Sequence, residues 1–170
     1  MSESFPEAES NQMIGYNYRL TDLEAAVAVE QFKRLDKFND RKIKLGNMLT
    51  KGLKKIEGLD TISIISGKEN VIFIYPIIFN ADKIKTSRKI FVKACNAEGV
   101  PMVEGYTKPL TRLKAFEQYI ENKNEFIVAD TLNDSELISL KICHHYNISR
   151  DDIELIIKAI KKVSFFFQSQ

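Results

Sequence analysis

A short segment near the start of the chain, residues 15–26 (Gly-Tyr-Asn-Tyr-Arg-Leu-Thr-Asp-Leu-Glu-Ala-Ala), combines side chains that can bind an anion. Asn17 offers an amide donor and Arg19 a guanidinium, and both groups suit phosphate oxygens. They stand just before Thr21, where a helix is predicted to begin, and a helix N-terminus favours anions through its free N–H groups and its dipole. The alternative interpretation is an ordinary helix entry with a glycine hinge and two surface tyrosines, since a short motif is only a hypothesis.

The other residue types that could do chemistry are two histidines and two cysteines. His144 and His145 are adjacent, and neighbours on a strand point to opposite faces, so we predict no metal site there. Cys95 and Cys143 match neither a disulfide framework nor a thiol redox motif. Cys95 falls on the apolar face of a predicted helix, which makes it a core thiol.

The element that must position residues 15–20 is a long helix. Thr21 and Glu24 have the spacing of a capping box, in which each side chain bonds to the other residue's backbone N–H. Apolar residues then recur at three- and four-residue steps as far as Ile56, and Gly58 is a helix stop. The first turns carry Ala25, Ala26 and Ala28, and these small side chains would allow another backbone to approach the helix closely.

The sequence pattern of the remaining residues predicts a small sheet covered by helices. β-branched, apolar runs predict strands, and Pro76 in the second of them suggests an edge strand or a bulge. Ser87 and Ser149 each stand where a helix N-cap is expected. The predicted strands are residues 61–65, 71–79, 100–103 and 137–142, and the predicted helices start after Ser87, near residue 126 and after Ser149. This order is typical of an α+β layer.

Composition narrows the class of protein. The 170 residues, 44% hydrophobic and 28% charged, suit one ordinary globular domain. A formal charge of only +2 argues against non-specific nucleic-acid binding. No apolar stretch is long enough to span a bilayer, and the first residues are acidic rather than those of a secretory signal. We therefore expect a cytoplasmic protein with no membrane or nucleic-acid partner.

Residues 15–26 resemble the Gly-Tyr-Asn-Tyr-Arg-Met/Leu-Thr signature of the DegT/DnrJ/StrS family of sugar-nucleotide aminotransferases. The resemblance continues in residues 97–101, in Tyr106 with Pro109-Leu110 and in residues 140–153, and so covers nearly all of residues 14–163. Members use pyridoxal 5′-phosphate (PLP), adopt the fold-type I aminotransferase architecture and work as dimers. The resemblance implies the C-terminal part of such an enzyme, with an arm (1–20), a long linking helix (21–57) and the small C-terminal domain (58–165).

The resemblance also implies roles for three residues. Asn17 is expected to reach across a homodimer and to hydrogen-bond the PLP phosphate of the other subunit. Arg19 and Tyr16 stand beside it and are expected to contact the cofactor or the nucleotide-sugar substrate. Two positions depart from the family pattern: Thr111 stands where a histidine is often found, and Lys141 where proline is usual.

In this family the lysine that forms the Schiff base with PLP lies well upstream of the Gly-Tyr-Asn-Tyr-Arg segment. Here 14 residues precede Gly15 and none of them is lysine, so the polypeptide is expected to be inactive alone. It would then need an aminotransferase large domain to work on a keto-sugar nucleotide with an amino donor such as glutamate. The alternative is a non-catalytic remnant or interaction module that pairs with a full-length aminotransferase. A third and weaker interpretation is a small-ligand or nucleic-acid module, and the near-neutral charge and the lack of an aromatic stacking stripe on any strand argue against RNA as its ligand.

Overall fold

The computed structural model of the chain describes residues 19–61, 68–121, 123–142 and 148–170. Helices lie on one face of a small antiparallel sheet, which agrees with the predicted α+β class. In the described residues the helices are α1 (Asp22–Phe32), α2 (Leu35–Leu53), α3 (Ala81–Ile84), α4 (Arg88–Ala97), α5 (Ile127–Thr131) and α6 (Arg150–Gln168). The strands are β1 (Leu59–Thr61), β2 (Tyr75–Phe79), β3 (Met102–Glu104) and β4 (Leu137–Leu140). None of these helices is long and apolar enough to cross a membrane.

The sheet has the strand order β1-β2-β4-β3, with every neighbouring pair antiparallel. In its register Tyr75 lies opposite Leu140, and Pro76 lies opposite Ser139. Strand β2 therefore has a neighbour on each side, and the prediction that Pro76 marks an edge strand is wrong. The described ladder between β1 and β2 ends where Thr61 meets Ile77, so Pro76 lies one residue past it and its missing N–H breaks no bond of that ladder.

Side chains alternate along β2 because successive residues point to opposite faces of a sheet. Tyr75, Ile77 and Phe79 are buried under the helices, whereas Pro76 and Ile78 are half-buried on the other face. The helices complete the core with fully buried residues, namely Leu49 and Leu53 of α2, Phe91 and Cys95 of α4, and Ile153 and Ile160 of α6. Burying each large apolar side chain contributes about 1.5–3 kcal/mol, so this layer supplies most of the stability.

The predicted long helix is two helices, which corrects the single helix expected over residues 21–57. Between α1 and α2 the backbone tightens: the Lys33 amide lies 3.4 Å from the Val29 carbonyl, and the Arg34 amide bonds to Gln31 instead, at 3.0 Å. Neither glycine nor proline is present at this break, so no local signal marks it. The two helices differ in their packing, since α2 buries one face on the core while α1 buries no residue in the described part of the chain.

Local signals predicted both starts and one end correctly among the helices α4 and α6, whereas α2 ends at Leu53, before the predicted stop at Gly58. Ser87 accepts a bond from the Ile90 amide at 3.4 Å, as an N-cap should. Ser149 and Asp152 form a full capping box: the Ser149 amide donates to Asp152 at 2.7 Å, and the Asp152 amide donates to the Ser149 hydroxyl at 3.1 Å. Gly99 follows α4 with a φ of +84°, which is the left-handed conformation of a helix stop.

The observed boundaries of the strands differ from the predicted ones. The predicted strand 61–65 begins earlier, at Leu59, and residues 62–65 lie outside the described part of the chain. The strand predicted for 71–79 is shorter, β2 starting only at Tyr75, and the one predicted for 100–103 is shifted to Met102–Glu104. The segment 106–124 is predicted from its sequence to be irregular and polar, and its described residues 106–121 consist of short 3₁₀ turns and loops.

Two glycines of α2 provide a matched test of helix packing. A Cβ at Gly52 would lie 2.5–2.9 Å from three side-chain atoms of Ile157 on both of its branches, so no single rotation relieves the overlap. A Cβ at Gly46 would meet only the Cδ1 tip of Ile72 so closely, at 2.5 Å. Alanine gains about 1 kcal/mol in a helix interior, whereas overpacking costs about 1–3 kcal/mol.

We therefore expect Gly52→Ala to lower the free energy of unfolding by about 1–2 kcal/mol, while Gly46→Ala stays within about 1 kcal/mol of the parent. Urea titrations followed by far-ultraviolet circular dichroism measure both. Equal effects of the two substitutions would show that α2 and α6 separate freely enough to accept a methyl group.

Candidate functional site

The structure describes one of the three residues predicted to bind the cofactor or substrate. Arg19 is exposed and makes no ion pair or hydrogen bond within the described part of the chain. Asn17 and Tyr16 lie outside the described residues. Arg19 stands two residues before Thr21, the N-cap of α1. Its guanidinium is therefore available to an anionic ligand.

The N-terminus of α1 is capped by the side chains of Thr21 and Glu24. The Thr21 amide donates to Glu24 Oε2 at 2.7 Å, and the Glu24 amide donates to the Thr21 hydroxyl at 3.3 Å, so the predicted capping box is confirmed. The Thr21 backbone and side-chain hydrogen bonds lower the pKa of Glu24, which stays ionised. With Asp22 also in the first turn, two carboxylates face any anion at this terminus. Arg19, rather than free helix N–H groups, is thus the described group with the charge to bind a phosphate.

Helix α1 carries apolar side chains that the described part of the chain leaves exposed. Leu23 is 76% exposed, Val27 56% and Phe32 74%. These residues lie on different sides of the helix, because Leu23 and Val27 share one stripe and Phe32 stands roughly opposite them at 100° per residue. A helix that is apolar on several sides is typical of the interior of a larger protein.

A second candidate is a cleft of about 400 Å³ in the segment 110–131, here called the loop cleft. Such a volume suits a small molecule. Thr111, at the position where the family pattern often has histidine, lines it, and its buried hydroxyl has no hydrogen-bond partner in the described part of the chain. The remaining lining residues are Arg112, Leu113, Lys114, Glu117, Ile120, Phe126 and Asp130.

Arg112 is the most strongly paired side chain of the loop cleft. Its Nε donates to Asp130 Oδ1 at 2.6 Å, and its two terminal nitrogens donate to the two carboxylate oxygens of Asp134 at 2.6 and 2.7 Å. The hydrogen bonds from Arg112, helped by one from Asn133, lower the pKa of Asp134 to about 2. The same bonds raise the pKa of Arg112. The pair is therefore charged at every physiological pH.

A smaller, more apolar cleft of about 300 Å³ lies against the open face of the sheet. Tyr106, which belongs to the resemblance with the family, lines it and is 45% exposed. Phe73, 58% exposed, and Pro76 form part of the opposite wall. This cleft offers aromatic and aliphatic contacts with few charged groups, so it differs in chemistry from the loop cleft.

Of the other residues considered from sequence, Cys95 is a core thiol as predicted, fully buried in α4. Burial, with a smaller contribution from the negative charge of Glu98, raises the pKa of the Cys95 thiol to about 12. Thiolate is the nucleophilic form, so Cys95 is inert near neutral pH. His144, His145 and Cys143 lie outside the described residues.

Sequence reasoning missed Arg88, Arg112, Asp130 and Asp134, which organise the loop cleft. The hydrogen bonds of Arg88 and Arg112 reach residues 18 to 49 positions away along the chain, so no short motif contains these pairs. The i, i+4 spacing of Asp130 and Asp134 is the one available signal, since it places two carboxylates on one side of a helical segment.

Comparison with known proteins now identifies the fold. The model of the DegT/DnrJ/EryC1/StrS aminotransferase family matches residues 3–161. The chain belongs to this family. Among curated proteins, the uncharacterized protein MJ1066 of Methanocaldococcus jannaschii is 26% identical over 153 residues, which is 88% of this chain and 38% of that protein. The UDP-4-amino-4,6-dideoxy-N-acetyl-beta-L-altrosamine transaminase of Campylobacter jejuni is 34% identical over 65 residues, or 38% of this chain and 17% of the transaminase.

Solved structures of DegT-type aminotransferases share the fold. A DegT DnrJ EryC1 StrS aminotransferase from Brucella abortus matches 88% of this chain with a TM-score of 0.71 and 26% identity, and the match spans 37% of that enzyme. The aminotransferase from Psychrobacter cryohalolentis matches 92% of this chain with a TM-score of 0.73 and 20% identity, spanning 42% of its own length. The chain thus spans about two-fifths of the length of the Methanocaldococcus protein and of these two structures.

Proposed function

We propose that these 170 residues are the C-terminal part of a PLP-dependent sugar-nucleotide aminotransferase. The observation that carries the proposal is the match of a sugar-aminotransferase family to nearly the whole chain, with the Gly-Tyr-Asn-Tyr-Arg segment inside it. The complete enzyme would move an amino group from an amino acid such as glutamate to a keto-sugar nucleotide. Its lysine and most of its phosphate-binding groups would be supplied by an aminotransferase large domain.

The donor set at the start of α1 fits the phosphate of PLP. Asn17 would donate its amide N–H to a phosphate oxygen, and the exposed Arg19 guanidinium would add a charged, forked donor. Tyr16 stands beside them and would contact the cofactor or the substrate. When bound, PLP supplies the electron sink that amino transfer requires. These three residues hold and orient the ligand, and none of them is assigned a proton transfer.

The partner of α1 in this proposal is an aminotransferase large domain or a second subunit. Helix α1 buries no residue in the described part of the chain, and its apolar side chains lie on more than one side. Covering Leu23 and Phe32 would bring the arm that carries Asn17 against the partner. The arm then reaches a cofactor that the partner holds, as expected for a homodimer of this family.

The alternative function is that of a non-catalytic module which pairs with a full-length aminotransferase through the same helix. The two functions are distinguished by the coding sequence upstream of Met1. A large-domain frame with its lysine, in phase or separated by a single stop or frameshift, supports the enzyme. If no such frame exists, pull-down of a full-length aminotransferase from the same cells supports the module, and its absence contradicts it.

In the reconstituted enzyme we expect Asn17→Ala to weaken PLP retention by on the order of tenfold, because a charge-assisted hydrogen bond to the phosphate is lost. Equilibrium dialysis against free PLP, followed by the absorbance of the bound cofactor, measures this without any turnover. Asn47→Ala is the matched control, since Asn47 is exposed on α2. Unchanged PLP affinity in Asn17→Ala would remove Asn17 from the phosphate site.

A further inference from the structure

Basic residues are concentrated in two helices, although the chain as a whole is nearly neutral. Residues 41–56, in α2 and just after it, and residues 155–170, in α6 and just after it, contain nine Lys and Arg and no Asp or Glu. All 23 acidic residues lie elsewhere, so the remaining residues together are net negative. The formal charge of +2 therefore hides a strong segregation of charge.

Helices α2 and α6 lie side by side and run in the same direction. Near the start of α2, Arg41 Nη2 donates to the carbonyl oxygen of Ile148, just before α6, at 2.6 Å. Past the end of α2, the carbonyl oxygen of Glu57 accepts a bond from Gln168 Nε2, at the end of α6, at 2.9 Å. Both helices bury one side in the same core, so their exposed sides form one surface.

This surface carries six exposed lysines that have no ion-pair partner within the described part of the chain. We call them the lysine face: Lys44, Lys51, Lys54, Lys55, Lys158 and Lys161. Lys44, Lys51 and Lys55 lie on one stripe of α2, because spacings of seven and four residues are close to whole helical turns. Since no described carboxylate neutralises these lysines, the lysine face is suited to attract an external anion.

Exposed apolar side chains accompany the lysines on α6. Phe165 is 73% exposed, Leu155 63% and Phe166 56%. Phe165 stands four residues after Lys161 and seven after Lys158, so these three side chains share one side of the helix. Lysines next to exposed aromatic residues are typical of helices that lie on a membrane surface, where the lysines attract anionic headgroups and the rings enter the boundary with the acyl chains.

The other possible occupants of this surface fit it less well. Two copies of the chain paired symmetrically here would bring like charges together, which is costly. Proteins that bind single-stranded nucleic acids carry their aromatic residues in a basic groove, and neither cleft described above contains a residue of the lysine face. The expectation of no membrane partner rested on the absence of a spanning segment, which does not test binding to a membrane surface.

We propose that the lysine face, together with Phe165 and Phe166, binds the surface of an anionic phospholipid bilayer. The lysines supply the attraction to the headgroups, and the two rings enter the interface. Each lysine close to such a bilayer strengthens binding by about fivefold, and salt weakens this attraction. The proposal concerns the outer side of α2 and α6 and does not depend on the proposed aminotransferase activity.

Cosedimentation of the full chain with lipid vesicles tests the proposal. One set of vesicles contains phosphatidylserine and phosphatidylcholine, and the other contains phosphatidylcholine alone. We expect binding to the anionic vesicles only, and weaker binding as salt is added. Equal binding to both sets, or no binding to the anionic vesicles, would overturn the proposal.

Lysine substitutions show whether this surface is the one that binds. Lys51→Gln combined with Lys161→Gln should weaken binding to the anionic vesicles by on the order of twentyfold. Lys114→Gln is the control, because Lys114 is exposed at the loop cleft, outside both helices, and its loss should weaken binding by less than about twofold. If each lysine removed had the same effect wherever it lies, net charge rather than the lysine face would cause the binding, and the proposal would be wrong.

A further variant distinguishes a membrane from other partners. Phe165→Ala should weaken vesicle binding by on the order of tenfold, because the ring no longer enters the interface. Binding to single-stranded RNA but not to vesicles, unchanged by Phe165→Ala, would identify a nucleic-acid site instead. Loss of vesicle binding once the chain is joined to an aminotransferase large domain would place this surface inside the enzyme. Either result would overturn the proposal.

Discussion

Replacing Phe91 by alanine should lower the free energy of unfolding by about 3–5 kcal/mol, through lost burial and the cavity left behind. Phe91 is fully buried in α4, and its ring centroid lies 5.1 Å from that of Phe79 in the central strand β2. The substitution therefore removes the side chain that joins the helix layer to the sheet. Domains of this size are stable by about 5–15 kcal/mol, so the loss is a large share of the total.

Urea titration followed by far-ultraviolet circular dichroism measures this loss, and the chain contains no tryptophan to serve as a fluorescent probe. The urea concentration at the midpoint of unfolding should fall, while the slope of the free energy of unfolding against urea concentration stays the same. Phe165→Ala is the matched control, because Phe165 is 73% exposed on α6 and should change stability by about 0.5 kcal/mol or less. Similar effects of the two substitutions would contradict the assignment of the core.

The features that the sequence predicted correctly are local ones. The capping boxes of Thr21 with Glu24 and of Ser149 with Asp152 each involve residues three apart, so their partners are visible in a single turn. The burial of Cys95 followed from helical periodicity in the same way. The α+β class followed from the order of such segments.

The features that the sequence could not show depend on distant partners. Pro76 suggested an edge strand, but pairing with β4, more than 60 residues later, makes β2 an inner strand. The break after Phe32 has no glycine or proline to mark it, and only the structure shows that α2 packs on the core while α1 does not. Arg88 and Arg112 are 24 residues apart in the sequence, and only the fold brings both to Asp134, Arg88 to its carbonyl oxygen and Arg112 to its carboxylate.

The predicted phosphate-binding residues and the two clefts lie in different parts of the chain. The predicted phosphate-binding residues come before α1, which buries no residue in the described part of the chain, whereas the smaller cleft lies against the sheet and the loop cleft lies within residues 110–131.

Two glycines with the same backbone conformation allow the cost of backbone strain to be measured separately from the cost of steric overlap. Gly58 and Gly99 both have a φ of +84°, where an L side chain costs about 1–2 kcal/mol. A Cβ at Gly99 would meet nothing within 4 Å. A Cβ at Gly58 would lie 2.9 Å from Ile84 Cγ1 and 2.9 Å from Lys83 Cβ. Because Lys83 Cβ is fixed to the backbone of α3, no side-chain rotation moves it away.

We therefore expect Gly99→Ala to lower the free energy of unfolding by about 1–2 kcal/mol. Gly58→Ala should cost about 2–4 kcal/mol, because overpacking adds to the same backbone strain. Parallel urea titrations give the difference, which measures how tightly the turn after α2 packs on α3. A difference below about 0.5 kcal/mol would mean that α3 shifts freely, and the fully buried Ile84 would then not be a fixed part of the core.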